Sequence, residues 1–200
     1  ILLNMKFKMR NIVRAIIIIP WAIPEVVACL IWILMYDKDF GIINYLLISI
    51  GLIKEPYGFL TDPNIALLSA MVVNIWKGFP FVAIMLLAGL QGIPSELYEA
   101  ASIDGAGSFD KLKFITVPLL SSVSKVVFLL LIIWTIKDFA IAYILARGGP
   151  SRATEILTIY IYQTAFKFLD FGKAAAAGIV MLLFSLLFTY IYMKAIKEQK

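Results

Sequence analysis

Four long apolar stretches alternate with polar, glycine- and proline-marked segments along the 200 residues of the chain. They fall near 12–36, 64–90, 122–146 and 174–193. Each is long enough, at 1.5 Å rise per residue, to cross a hydrocarbon core of about 30 Å. Shorter apolar runs lie between them. FGIINYLLISIGLI, within 37–63, is too short to span and sits between Asp/Lys and Lys/Glu charges, so it reads as a helix lying at the membrane interface. In the segment 147–173 a turn signal, RGGPSRATE, precedes ILTIYIYQTAFKFL, whose Tyr160, Tyr162, Phe166 and Phe168 suit a second interfacial helix with rings at headgroup depth. The pattern predicts an all-α integral membrane protein, a polytopic helical bundle with four spans. No linker, repeat or low-complexity tract interrupts it, which predicts one domain over 1–200.

Composition agrees: 62% hydrophobic and 16% charged residues lie well outside the range of a soluble domain. The basic residues set the orientation. Lys6, Lys8, Arg10, Arg14, Lys111, Lys113, Lys125, Lys194, Lys197 and Lys200 fall on one side, ten in all, against six (Lys38, Lys54, Arg147, Arg152, Lys167, Lys173) in longer loops on the other. By the positive-inside rule both ends of the chain and the central loop face the cytoplasm, and the segments 37–63 and 147–173 face out. Topology thus accounts for the net charge of +5, and no nucleic acid partner is needed. The opening ILLNMKFKMRN reads like the polar end of an earlier element, which leads us to expect an N-terminal portion upstream. A signal peptide starting at Met5 is disfavoured because the apolar run is too long and no A-x-A-type site follows.

There is one cysteine and no histidine, so an internal disulfide, a Cys/His zinc site and a Cys/His catalytic pair are excluded for this chain. Val26-Val27-Ala28-Cys29 fits a loose lipobox, but Pro20, Pro24 and Glu25 spoil the run a lipoprotein signal needs. Cys29 reads as a small buried apolar residue. Pro20 and Pro24 in the first span and Pro80 in the second each remove a backbone donor. Pro80 thereby frees the Trp76 carbonyl, leaving either a simple kink or a polar group facing a cavity. Ala174 and Gly178 form a small-xxx-small surface for helix packing.

The most informative stretch is EAASIDGAGSFDKLKFITVP, residues 99–118, polar and glycine-punctuated between two spans. Ile93-Pro94-Ser95 reads as a helix start, with Ser95 able to cap and Glu96 and Glu99 favoured by the helix dipole. Gly105 ends that helix. A second short helix starts at Ser108, has Asp110 in its first turn, runs to about Ile115 and stops before Pro118. Ala100, Ala101 and Gly105 then form a surface that lets another backbone come close. A merely solvated loop would be polar throughout. Leu97, Tyr98, Ile103, Phe109, Leu112 and Phe114 instead give this one an apolar face that needs burial, which favours docking on a soluble partner.

Glu99-Ala100-Ala101, Gly105, Ile115 and Pro118 resemble the cytoplasmic EAA signature of ABC importer permeases, with Val117 where leucine is usual. The resemblance to permeases of the carbohydrate-uptake branch runs through IIIIPWAIPEVVACLIW, LTDPN, VNIWKGFPFVAIMLLAGLQGIPSELYEAASIDGAG, ARGGPSRATEILTIYIYQTAF and DFGKAAAAG, in the family's order. It implies the ABC importer permease fold, six spans of which two precede Ile1, and a multi-pass subunit of the cytoplasmic membrane. It also implies an ATP-binding subunit that receives the loop at Glu99, Ala100, Ala101, Gly105, Ile115 and Pro118. A second homologous permease and an extracellular solute-binding protein are the further implied partners, besides membrane lipid. The sequence contains no G-x-x-x-x-G-K-[ST] phosphate loop, so ATP is expected on the partner, with no cofactor in this chain and no catalytic or metal residue.

Polar residues inside the spans are the remaining candidates, because a charge in hydrocarbon usually faces a cavity or a partner. Asn74, Lys77 and Phe81 share a face of the second span, and Trp134, Lys137 and Asp138 a face of the third. With the Trp76 carbonyl they outline a polar, aromatic-lined pocket for a sugar, another polyol or a glycerol phosphate, for which Lys77 is a natural anion partner. The alternative is that Lys77 or Lys137 simply neutralises Asp138 or reaches an interface. Two rival functions differ in class. An ion- or proton-coupled carrier or channel would want titratable carboxylates along a path, but the spans offer only Glu25 and Asp138. A membrane-embedded enzyme lacks paired carboxylates or metal ligands to work with.

Overall fold

The computed structural model describes residues 8–197, and these are helical throughout their ordered elements. In chain order the helices are α1 (Arg10–Ala22), α2 (Glu25–Met35), α3 (Ile42–Ser49), α4 (Ala66–Gln91), α5 (Ser95–Ile103), α6 (Ser108–Lys111), α7 (Val117–Lys137), α8 (Ala140–Ala146), α9 (Leu157–Tyr162) and α10 (Phe171–Lys197). Among the described residues, three helices are long and apolar enough to cross a membrane: α4, the continuous stretch Ser108–Lys137, and Phe171–Ile196. A fourth crossing results if α1 and α2 together count as one broken span. Among the described residues two compact units are present: one holds the chain up to Trp21 and Gly78–Ile132, the other Ala22–Lys77 and the described residues from Ile133 onward.

The prolines take three different paths. At Pro24 the expected span 12–36 is interrupted outright, α1 ending at Ala22 and α2 starting at Glu25. Pro80 is fully buried and stays inside α4. Pro118 does not stop the helix as expected from the sequence. The turn Leu112–Thr116 is π-helical, and the helix continues through α7. In a regular α-helix the pyrrolidine ring of Pro118 would strike the carbonyl of Phe114. A wider turn just before it relieves that contact, and the Val117 N–H bonds to the Leu112 carbonyl five residues back.

The third span, expected over 122–146, ends at Lys137. The break falls at Asp138, whose N–H bonds to the Thr135 carbonyl at 3.2 Å and whose carbonyl accepts the Thr158 hydroxyl at 2.6 Å. The separate helix α8 follows, with Phe139 at its N-cap and no side-chain cap bond.

In the second unit the core joins α2, α4 and α8 through Cys29, Trp32, Tyr36, Ala70, Val73, Ile141 and Leu145. Cys29 is fully buried there, as expected. The helix anticipated in FGIINYLLISIGLI is α3. The segment around it is held by Asn44, which is 3% exposed. Its amide donates to the carbonyls of Asp37 (3.1 Å) and Tyr57 (3.0 Å) and accepts the Tyr57 N–H at 2.8 Å. Nearby, the Tyr57 hydroxyl donates to Asp62, and this bond, with the backbone N–H of Asn64, holds the Asp62 carboxyl below the usual carboxylate range.

The helix expected after RGGPSRATE is α9 followed by a π-helical turn, Gln163–Lys167, with the rings of Phe139, Tyr143 and Tyr162 in mutual contact at 4.8–5.0 Å. Small-residue packing falls differently from the sequence expectation. Ala174 is buried, but a Cβ at Gly178 would meet nothing within 4 Å. Gly89 is the close approach instead, where a Cβ would lie 2.8 Å from Leu120 and 3.1 Å from Val123 of α7.

Candidate functional site

The central loop folds as two helices meeting at a glycine bend. Ser95 is the first helical residue and does not cap. Pro94 takes the N-cap position without a side-chain bond, and the Leu97 N–H reaches the Pro94 carbonyl at 3.3 Å. At the other end of α5 the Ala106 N–H bonds to the Ala101 carbonyl at 2.8 Å and the Gly105 N–H to the Ser102 carbonyl at 3.2 Å. That pair is a Schellman motif with Gly105 at C′, where φ is +80°. Gly105 is therefore required for its backbone conformation, which a side chain strains even though a Cβ would meet nothing within 4 Å. Beyond the bend, the Gly107 N–H bonds to the Asp110 carboxylate at 3.1 Å at the start of α6.

Glu99, Ala100 and Gly105 are exposed, Ala101 and Ile115 are half-buried, and Pro118 is exposed. Ile103 at 88% and Phe109 at 72% exposure project from this otherwise polar knob, with Phe114 beside them at 66%. An isolated solvated loop has no reason to present them. Sequence reasoning missed the hydrogen bonds inside the knob, which join Tyr98, Ser102, Lys111 and Thr116. The signal was available: Thr116 is a lone hydroxyl in the apolar run FITVP, and Tyr98 and Ser102 are one helical turn apart.

Within the second unit a cavity of about 530 Å³ is lined by Asn74, Thr135 and Asp138 and by apolar side chains that include Met71, Ile141 and Phe184. The structure brings together Asn74 and Asp138, 64 residues apart in sequence, through a 2.5 Å bond from the Asn74 amide to the Asp138 carboxylate. Lys77 goes elsewhere. Its ammonium donates to the carbonyl of Ile23, at the break between α1 and α2, and so satisfies a backbone acceptor next to Pro24. Trp76 lies in the core, edge-on to Trp32 with ring centroids 5.5 Å apart. Trp134 and Lys137 are exposed and do not line the cavity with Asn74 and Asp138. Among the described residues no group of three or more His, Cys, Asp or Glu side chains could hold a metal ion.

A family model described as "Binding-protein-dependent transport system inner membrane component" matches residues 1–196. The chain belongs to this family. The chain is accordingly a multi-pass membrane protein, and the resemblance carried by the EAA-like loop is borne out. It is 38% identical to the trehalose/maltose transport system permease protein MalF of Thermococcus litoralis, over 97% of the chain and 65% of that protein. It is also 36% identical to the sulfoquinovosyl glycerol transport system permease protein SmoG of Agrobacterium fabrum, over 100% of the chain and 64% of that protein. The chain thus spans just under two thirds of the length of these relatives. Its fold is also that of a bacterial ABC transporter involved in import of the acidic polysaccharide alginate (TM-score 0.89, 24% identity, 98% of this chain and 69% of that one). A second alginate transporter structure, in complex with a pentasaccharide-bound periplasmic protein, matches at TM-score 0.86 and 25% identity, over 96% of this chain and 67% of that one.

Proposed function

We propose that the permease is the membrane-spanning subunit of an ATP-driven importer. It forms part of the path for a sugar or sugar-like solute and docks on a separate ATP-binding subunit through the loop 94–118. The observation that carries this reading is the fixed helix-turn-helix that holds Ile103 and Phe109 out into water between two spans. Glu99, Ala100, Ala101, Gly105, Ile115 and Pro118 belong to that docking element. A second homologous permease and a solute-binding protein complete the assembly. Their support is the family's description as binding-protein-dependent, together with the unburied apolar faces of α7 and α10, where Val126, Ile179 and Leu183 are exposed to a neighbour or to lipid.

For the solute, Asn74, Thr135 and Asp138 offer hydrogen-bond partners to hydroxyl groups against an apolar wall. Trehalose/maltose and sulfoquinovosyl glycerol appear in the names of the two relatives, which keeps the class at sugars and glycosides. The Lys77 ammonium donates to the Ile23 carbonyl at the break between α1 and α2, which leaves its charge in place.

Reconstitution in vesicles separates this from a secondary carrier. Uptake is expected only when the ATP-binding subunit and ATP are present, whereas a secondary carrier exchanges solute without them. In the same assay Asn74→Leu is expected to raise half-saturation several-fold to a hundredfold, because lost hydrogen bonds cost about 0.5–1.5 kcal/mol each, or about 1.5–3 where a charge takes part. An unchanged half-saturation constant places the solute site on other elements.

A further inference from the structure

The two helices of the docking loop are joined in sequence only by Gly105-Ala106-Gly107, a bend that by itself would let them swing independently. Four hydrogen bonds close a ring across it. The hydroxyls of Tyr98 and Thr116 are 2.9 Å apart. The Thr116 hydroxyl donates to the Lys111 carbonyl at 3.2 Å, which fixes Tyr98 as the donor in the first bond. The Lys111 ammonium donates to the Ser102 hydroxyl at 2.6 Å, and that hydroxyl donates to the Tyr98 carbonyl at 2.7 Å, back on α5. Every hydroxyl proton in the ring has one acceptor.

Thr116 is 6% exposed, although its neighbours Lys113, Phe114 and Val117 are open to solvent. It is the last residue of the π-helical turn and stands directly before Val117, the first residue of α7. A π-turn carries one residue more than an α-turn, so it rotates the side chains that follow by about 100° about the helix axis. The turn that orients the side chains of α7 and the residue that fastens α5 are thus the same element.

Building on the docking reading, we infer that Tyr98 and Thr116 are positioning residues that lock α5 to the loop end of α7. A push on the exposed face of α5 then moves α7 instead of being absorbed at the glycine bend. Neither side chain contacts the ATP-binding subunit in this role. Tyr98 is only half-exposed and Thr116 is buried, so their loss uncouples transport without abolishing docking.

The test uses Tyr98→Phe, Thr116→Val and Thr116→Ser in the complete importer, with three readouts: co-purification of the ATP-binding subunit, solute transported per ATP hydrolysed, and amide exchange of residues 104–107. Tyr98→Phe and Thr116→Val are expected to keep co-purification, to raise exchange at the bend, and to lower transport per ATP roughly three- to tenfold, the factor a lost hydrogen bond gives. Thr116→Ser, which keeps the hydroxyl, is expected to restore the ratio. Unchanged transport per ATP in both Tyr98→Phe and Thr116→Val overturns the inference, whatever the exchange shows. Failure of the wild-type chain to co-purify with the ATP-binding subunit overturns the docking reading instead, and the transmission role with it.

Discussion

Gly105→Pro is expected to abolish solute uptake while the subunit still accumulates in the membrane. Proline fixes φ near −65°, and Gly105 sits at +80°. The substitution also deletes the N–H that bonds to the Ser102 carbonyl, one of the two bonds of the Schellman motif. Proline cannot adopt the native φ at all, so the bend that sets α5 against α6 must rearrange. It lies in neither a long helix nor the core around Trp32, so insertion and overall folding persist. Gly105→Ala should be milder, with a backbone penalty of roughly 1–2 kcal/mol and no clash, and should leave partial uptake. Glu99→Lys reverses a charge on the exposed face of α5 and is expected to lose the ATP-binding subunit on purification. Uptake, membrane content and co-purification measured together separate these effects. Normal uptake by both Gly105→Pro and Glu99→Lys would remove the loop's coupling role.

Asn44→Leu is expected to carry a large stability cost. Leucine matches asparagine in size but cannot answer the Tyr57 N–H or the carbonyls of Asp37 and Tyr57, all served now by one 3%-exposed amide. Unsatisfied buried groups cost about 1–3 kcal/mol each. The sum is on the order of 3–5 kcal/mol, at the upper end for point substitutions. Asn44→Asp should fall between wild type and Asn44→Leu, since it keeps an acceptor for Tyr57 and loses the donors. Thermal unfolding of the purified subunit measures this, and an unchanged midpoint for Asn44→Leu would show the segment 37–64 to be held by other contacts.

The alternation of apolar and polar stretches was enough to read off the order of the apolar segments, the short helix α3 and the two-helix loop, because each rests on local pattern; the first of the four expected spans is broken at Pro24 and the third ends early at Lys137. What the pattern missed depends on partners far along the chain. Pro24, Pro80 and Pro118 look alike in sequence. Their outcomes differ because the Ile23 carbonyl finds Lys77, 54 residues away, because Pro80 is buried inside α4, and because a π-turn precedes Pro118. The pocket residues show the same limit. Placing Trp134, Lys137 and Asp138 on one face assumes a helix that continues, but the helix ends at Lys137 and the Asp138 carboxylate meets the Asn74 amide instead. Asn74 was legible as an intramembrane polar residue. Its bond to Asp138 was not, since nothing local encodes a contact across 64 residues.

The docking of the loop on an ATP-binding subunit is tested most directly by a photocrosslinker placed at Ile103, the 88%-exposed apolar residue at the tip of α5, in membranes carrying the whole importer. One dominant adduct is expected, with the ATP-binding subunit, together with its loss in Gly105→Pro. Adducts with lipid alone, or a crosslink to the ATP-binding subunit that survives Gly105→Pro unchanged, would contradict the docking role.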